Sequence, residues 1–225
     1  MSRVHPADQS NFQDNLLVKE IKVEGPPCTL TVWKRSSMSF QGTDGFTVFD
    51  HHGRLVFRVD NYSRKYPCGL AGGLVLMNGA GNALLTLKPQ IMSMQYQWNA
   101  YRGDQEMRRR KCKKSKVFSM RTPSLLFQRQ RKDQAEVFLP GLSKKGQVPD
   151  FRIQGSFRSR NCLIRTATGE VAAKITRKRV NSTVLLSDDV FSLVVQPGFD
   201  MELIMAFVVV LDRICANPFT PILCS

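Results

Sequence analysis

The chain has 225 residues, 42% hydrophobic and 23% charged, a balance that excludes a disordered or fibrous protein. That length suits one large β domain or two small ones. The 33 Lys and Arg against 18 Asp and Glu leave a net charge of +15, which favours an anionic partner without choosing its kind.

Residues 1–14 are polar, and a flexible tail is expected there because nothing can be buried to offset the entropy of ordering. No apolar segment with a following cleavage site occurs in MSRVHPADQSNFQDN, which points to an intracellular protein. Structure should begin near Leu16, Leu17 and Val18, and a first strand is expected over 29–33. Three stretches then read as copies of one hairpin. They are 46–50 with 55–59 around His51, His52 and Gly53; 74–78 with 83–87 around Gly79, Ala80 and Gly81; and 162–165 with 171–175 around 166–169. In each, a β-rich run meets a polar turn with Gly near its end, and a second β-rich run follows. Further strands are expected at 95–101, 117–121, 135–139, 151–157, 183–186 and 191–195. Arg102-Gly103-Asp104 reads as turn chemistry, and 107–116 (MRRRKCKKSK), which has no apolar period, as a surface loop.

The chain culminates in 191–214, FSLVVQPGFDMELIMAFVVVLDRI. Gln196-Pro197-Gly198 stops the last strand, and Asp200 is placed to cap a helix with Glu202 in its first turn. From Met201 to Leu211 apolar side chains would cover every face, so that helix, expected over about 200–214, must be buried on all sides. Its apolar run is too short for a bilayer, which needs about 20 residues. About a dozen short strands and one such helix fit an all-β closed barrel built around a central hydrophobic helix, since closure buries the helix and removes sheet edges.

Catalytic patterns are not apparent. The histidines, at 5, 51 and 52, fall in the tail and in a turn, with no further ligands at metal-site spacing. Gly69-Leu70-Ala71-Gly72-Gly73 lacks the Lys and Ser/Thr of a phosphate loop. No cofactor or metal is expected. The six cysteines, at 28, 68, 112, 162, 215 and 224, have no CxxC spacing and are expected to be thiols.

The strongest local feature is basic. Between Arg102 and Arg121 nine Lys or Arg face only Asp104 and Glu106. Arg108, Arg109, Arg110, Lys111, Lys113, Lys114 and Lys116 are the candidate contacts for an anionic lipid surface, where each basic residue contributes on the order of 1 kcal/mol. The same run fits a nuclear-localisation tract or a phosphate-binding patch, although 107–116 contains no aromatic residue for base stacking. Arg129, Arg131 and Lys132, and Lys174 with Arg177, Lys178 and Arg179, would strengthen a headgroup site if the fold gathered all three clusters on one face.

Several motifs, in order along the chain, carry a family resemblance. They are Phe49-Asp50…Gly53…Val56-Phe57-Arg58-Val59-Asp60-Asn61-Tyr62, Leu76-Met77…Gly81…Leu84-Leu85-Thr86-Leu87, Trp98…Tyr101-Arg102-Gly103, and Gly169-Glu170-Val171-Ala172-Ala173-Lys174-Ile175. The most specific is Val194-Val195-Gln196-Pro197-Gly198-Phe199-Asp200 running into the apolar helix, with Gln196, Pro197, Gly198 and Asp200 as its structural signature. Over about 15–215 the chain resembles the plant LURP-one-related family, which is placed with the tubby C-terminal-like fold and distantly with phospholipid scramblases. The resemblance implies a closed twelve-stranded barrel threaded by a C-terminal helix, organised as a tail (1–14), one barrel domain (15–217) and a short C-terminal tail (218–225). It also implies a monomeric, non-enzymatic protein of signalling or defence, cytoplasmic with peripheral membrane or nuclear association. Its tubby relatives bind phosphoinositides, so the expected partner is anionic phospholipid or an acidic protein. A nuclear, nucleic-acid-associated regulator and a scramblase-like membrane protein are the alternatives.

Overall fold

A computed structural model describes residues 25–35, 45–61, 73–90, 96–102, 115–123, 133–141, 148–179 and 186–216. Twelve strands precede one helix: β1 (Cys28–Arg35), β2 (Gly45–Phe49), β3 (Leu55–Asn61), β4 (Leu74–Asn78), β5 (Ala83–Gln90) and β6 (Gln97–Arg102). There follow β7 (Ser115–Arg121), β8 (Asp133–Phe138), β9 (Phe151–Ser156), β10 (Asn161–Thr166), β11 (Val171–Arg177), β12 (Val190–Val195) and α1 (Met201–Ala216). Each strand pairs with its sequence neighbours, and β1 pairs with β12 (Leu30 opposite Leu193), so the antiparallel sheet closes into a barrel without edges.

Alternation decides which side chains enter. In β12, Phe191, Leu193 and Val195 are buried while Val190, Ser192 and Val194 are only half-buried, and Leu30 and Val32 of β1 continue the inner face. The helix fills the space so enclosed. Ile204, Met205, Ala206, Phe207, Val208, Val209, Val210 and Leu211 are all 0% exposed. Phe207 meets Phe118 of β7 edge-on at 4.9 Å between ring centroids and Phe151 of β9 at 5.3 Å. Asp200 caps the helix as expected, accepting the Glu202 N–H at 2.9 Å and the Leu203 N–H at 3.3 Å. Gly198, at φ +85°, takes the left-handed turn that redirects the chain from wall to interior.

The three hairpins form β2–β3, β4–β5 and β10–β11, and they share one turn. Gly53, Gly81 and Gly169 each donate N–H to the carbonyl three residues back (Asp50, Asn78, Thr166) and have φ of +77°, +89° and +91°. A register shift adjoins each turn, between Val48 and Phe49, Leu76 and Met77, and Ile164 and Arg165. This is a tight turn followed by a glycine bulge, which tightens twist where the sheet must curve. A side-chain oxygen on the first turn residue accepts the N–H four residues on: Asp50 from Arg54, Asn78 from Asn82, Thr166 from Glu170.

Two expectations meet the structure at their edges. Of the strand expected at 183–186, Leu186 is described and lies outside a strand, its N–H bonding the Lys178 carbonyl at 3.0 Å within the β11–β12 connection. Residues 183–185, like Leu16, Leu17 and Val18, lie outside the described residues. Strand β7 begins at Ser115 instead of Val117, because Ser115 and Lys116 pair with Arg102 and Tyr101. Lys116 therefore belongs to a strand, and partner pairing overrides its low strand propensity.

Enclosure of α1 sets the stability. Val208→Asp would put an unpaired carboxylate in the apolar interior at a cost of several kcal/mol, against a total of roughly 5–15. Loss of a cooperative melt by circular dichroism is expected. Leu211→Ala should cost about 2–5 kcal/mol in chemical denaturation while leaving the fold intact.

Candidate functional site

The barrel has two mouths. The helix-start mouth carries the three glycine-bulge turns and the 196–200 connection, and α1 enters there. The helix-end mouth carries the tight 157–160 turn and the β11–β12 connection, beside the last turn of α1. Alternating strand direction assigns the ends of each connection to a mouth. The chain leaves β6 at Arg102 and returns at Ser115, both at the helix-start mouth. Arg108, Arg109, Arg110, Lys111, Lys113 and Lys114 lie outside the described residues. Of the candidate contacts, Lys116 is described: it is exposed on β7 opposite Tyr101, and partial desolvation lowers its pKa below the usual lysine value.

The other clusters are elsewhere. Arg129, Arg131 and Lys132 lie outside the described residues, on the connection that leaves β7 at Arg121 from the helix-end mouth. Arg177 also belongs to that mouth, where it pairs with Asp188 at 3.0 Å, and Lys178 and Arg179 follow it. Lys174 is on the wall between them, opposite Leu163 and Val194. Among the described basic residues, Lys116 follows the start of β7 at the helix-start mouth and Arg177 is at the helix-end mouth, so these two do not share an end of the barrel.

At the helix-start mouth, Arg102 beside the basic segment makes a 2.8 Å ion pair with Glu202 in the first turn of α1. The Asp50 carboxylate accepts the N–H groups of His52 and Arg54 and the Arg54 Nε. Burial opposes its charge, but those donors outweigh burial and hold the carboxyl below the usual range. The paired rings of His51 and His52 sit on this turn. Among the described residues no group of three or more His, Cys, Asp and Glu could hold a metal ion, and no helix is long and apolar enough to cross a membrane.

The helix-end mouth holds a charged cluster that sequence patterning did not reveal. Lys34 of β1 points inward and bonds the buried Asp212 of α1 at 2.9 Å. Arg160 is 6% exposed and has φ +51°, a left-handed conformation that a glycine would adopt more cheaply. Its side chain explains its place. The guanidinium lies 4.3 Å from the Phe157 ring centroid and 4.5 Å from that of Phe191, and its Nε donates to the Asp188 carbonyl at 2.8 Å. Burial lowers its pKa, and the fields of Asp212, Asp188 and Asp189 counter only part of that effect. Lys34 and Asp212 are 178 positions apart, so only closure between β1 and α1 exposes the pairing. The single hint in the sequence is an aspartate directly after nine successive apolar helix residues.

Breaking that pair gives a direct test. Lys34→Met leaves Asp212 buried without its nearest cation and should cost about 2–3 kcal/mol, less than the roughly 3–5 of a fully sealed pair. The discount follows from the 28% exposure of the Lys34 side chain. Lys34→Met with Asp212→Leu should recover most of the loss in urea unfolding.

The family model described as LURP-one-related matches residues 28–212, from the first residue of β1 into the last turns of α1. Arabidopsis thaliana LURP-one-related 5 is 37% identical over 205 residues, covering 90% of each chain. LURP-one-related 17 from the same plant is 32% identical over 216 residues, covering 93% of this chain and 94% of its own. An X-ray structure of another Arabidopsis thaliana protein superposes with a TM-score of 0.56 at 22% identity, over 84% of this chain and 92% of that one, which speaks for the fold alone. The chain therefore belongs to the plant LURP-one-related family, as a closed β-barrel around a central helix.

Proposed function

We propose that this protein is a signalling barrel that binds anionic membrane lipid, with a phosphoinositide headgroup as ligand and Arg108, Arg109, Arg110, Lys111, Lys113, Lys114 and Lys116 as its contacts. The observation that carries the reading is charge density: the nine Lys and Arg between Arg102 and Arg121 oppose two acidic residues, in a chain of net charge +15. The strands that flank this segment end and begin at one mouth of the barrel, at Arg102 and Ser115, which suits contact with a flat anionic surface. The unit that binds is the barrel domain over 15–217, with tails on either side, acting as a monomer and a peripheral membrane protein inside the cell. A common origin with tubby-like and scramblase-like barrels suits this role; the scramblase activity itself does not follow from it.

Co-sedimentation with neutral, phosphatidylserine and phosphoinositide vesicles at low and physiological salt tests this. The native protein should pellet with phosphoinositide vesicles at physiological salt. The variant with Arg108, Arg109, Arg110 and Lys111 changed to Ser should remain in the supernatant. Absence of pelleting by native protein, together with salt-sensitive binding to duplex DNA, would replace the membrane with a nuclear partner.

A further inference from the structure

At the helix-end mouth, beside Lys34–Asp212, two thiols from distant parts of the chain converge on one oxygen. Cys162, the second residue of β10, faces inward and is 1% exposed; Cys215, in the last turn of α1, is half-buried. The Gln134 Oε1 in β8 lies 4.0 Å from the Cys162 Sγ and 3.8 Å from the Cys215 Sγ. It also accepts the Phe157 N–H at 2.9 Å, which fixes it between β8 and the 157–160 turn. A register shift between Asp133 and Ala135 interrupts the β8–β9 ladder at this glutamine. Both cysteines are free thiols.

We propose that Cys162 and Cys215 form a redox latch: a low-molecular-weight disulfide oxidises them to one intramolecular disulfide that ties the end of α1 to the barrel wall. The chemistry balances in two exchanges. The Cys215 thiolate attacks one sulfur of the small disulfide and expels a thiolate, which takes up a proton. The Cys162 thiolate then attacks the Cys215 sulfur and expels the second small thiol. Two protein thiols are oxidised, and one small disulfide is reduced to two thiols.

The environment sets the order and pace. Burial pushes the Cys162 thiol up to about 12, reinforced by Cys215, and the Cys215 thiol up to about 11, reinforced by Asp212. The Arg160 guanidinium favours the thiolate of both. Cys215 is thus the more exposed and the more acidic of the two, and it reacts first. With so little thiolate near neutral pH the latch closes slowly, and its closing rate rises as the solution is made more alkaline. The bond would close a loop of 52 intervening positions that spans β10, β11, β12 and α1, and so constrain the unfolded chain.

The test uses the full native chain incubated with oxidised glutathione at pH 7 and pH 9. Peptide mapping should recover a Cys162–Cys215 cross-link that forms faster at pH 9. The oxidised protein should melt on the order of 10 °C higher, with reversal by dithiothreitol. Cys162→Ser and Cys215→Ser should both lack the cross-link and the shift. Because a buried hydroxyl can itself destabilise, Cys162→Ala and Cys215→Ala are measured beside them, each against its own reduced form. Recovery of Cys162 and Cys215 as alkylatable thiols after oxidation would overturn the proposal. So would pairing of either with Cys68, Cys112 or Cys224, or a cross-link that leaves the melting temperature unchanged.

Discussion

The fold depends on one constraint, that a helix apolar around its whole circumference cannot meet water on any side. Ile204 through Leu211 have no exposure, and no two-layer arrangement removes all faces of one helix from solvent. A closed sheet does. Twelve strands with alternating inward side chains supply a continuous apolar lining, and closure also removes the unpaired strand edges that an open sheet would present. The helix and the barrel therefore require each other: without α1 the inner faces of Phe118, Phe151 and Phe191 would line an empty space.

Enclosure creates a secondary problem at the two ends, where the chain must pass between interior and solvent. The two mouths solve it differently. At the start of α1 the solution is mainly backbone chemistry, with Gly198 turning the chain, Asp200 capping the exposed N–H groups and Glu202 held by Arg102. At the end of α1 it is buried charge. Asp212 is matched by Lys34, while Arg160 occupies a backbone conformation suited to glycine because its guanidinium closes over Phe157 and Phe191. Local strain is accepted there in return for aromatic and carbonyl contacts that only an arginine can make.

This division bears on function. Among the described residues, Arg102 is at one mouth, Arg177 at the other and Lys174 on the wall, so net charge by itself does not describe a surface. The segment between β6 and β7 is singled out by density, since it holds most of its positive charge with little acid nearby. Family membership brings no assignment of ligand. The remaining chemistry of the described residues, the thiol pair around Gln134, is at the opposite mouth from that segment.

The sequence by itself determined the barrel and its helix, because both are written in local periodicity. Strand alternation, the glycine turns at 53, 81 and 169, the cap at Asp200 and the all-round apolar run are each contained within a few consecutive residues. The misplacement came where a partner overrides local preference: Lys116 looks like loop but is drawn into β7 by Tyr101. Only the tertiary structure decided the Lys34–Asp212 pair, the cage around Arg160 and the meeting of Cys162 with Cys215. Each depends on strand direction and on closure of β1 against β12. Those are relations between residues far apart in the chain, and no local period records them.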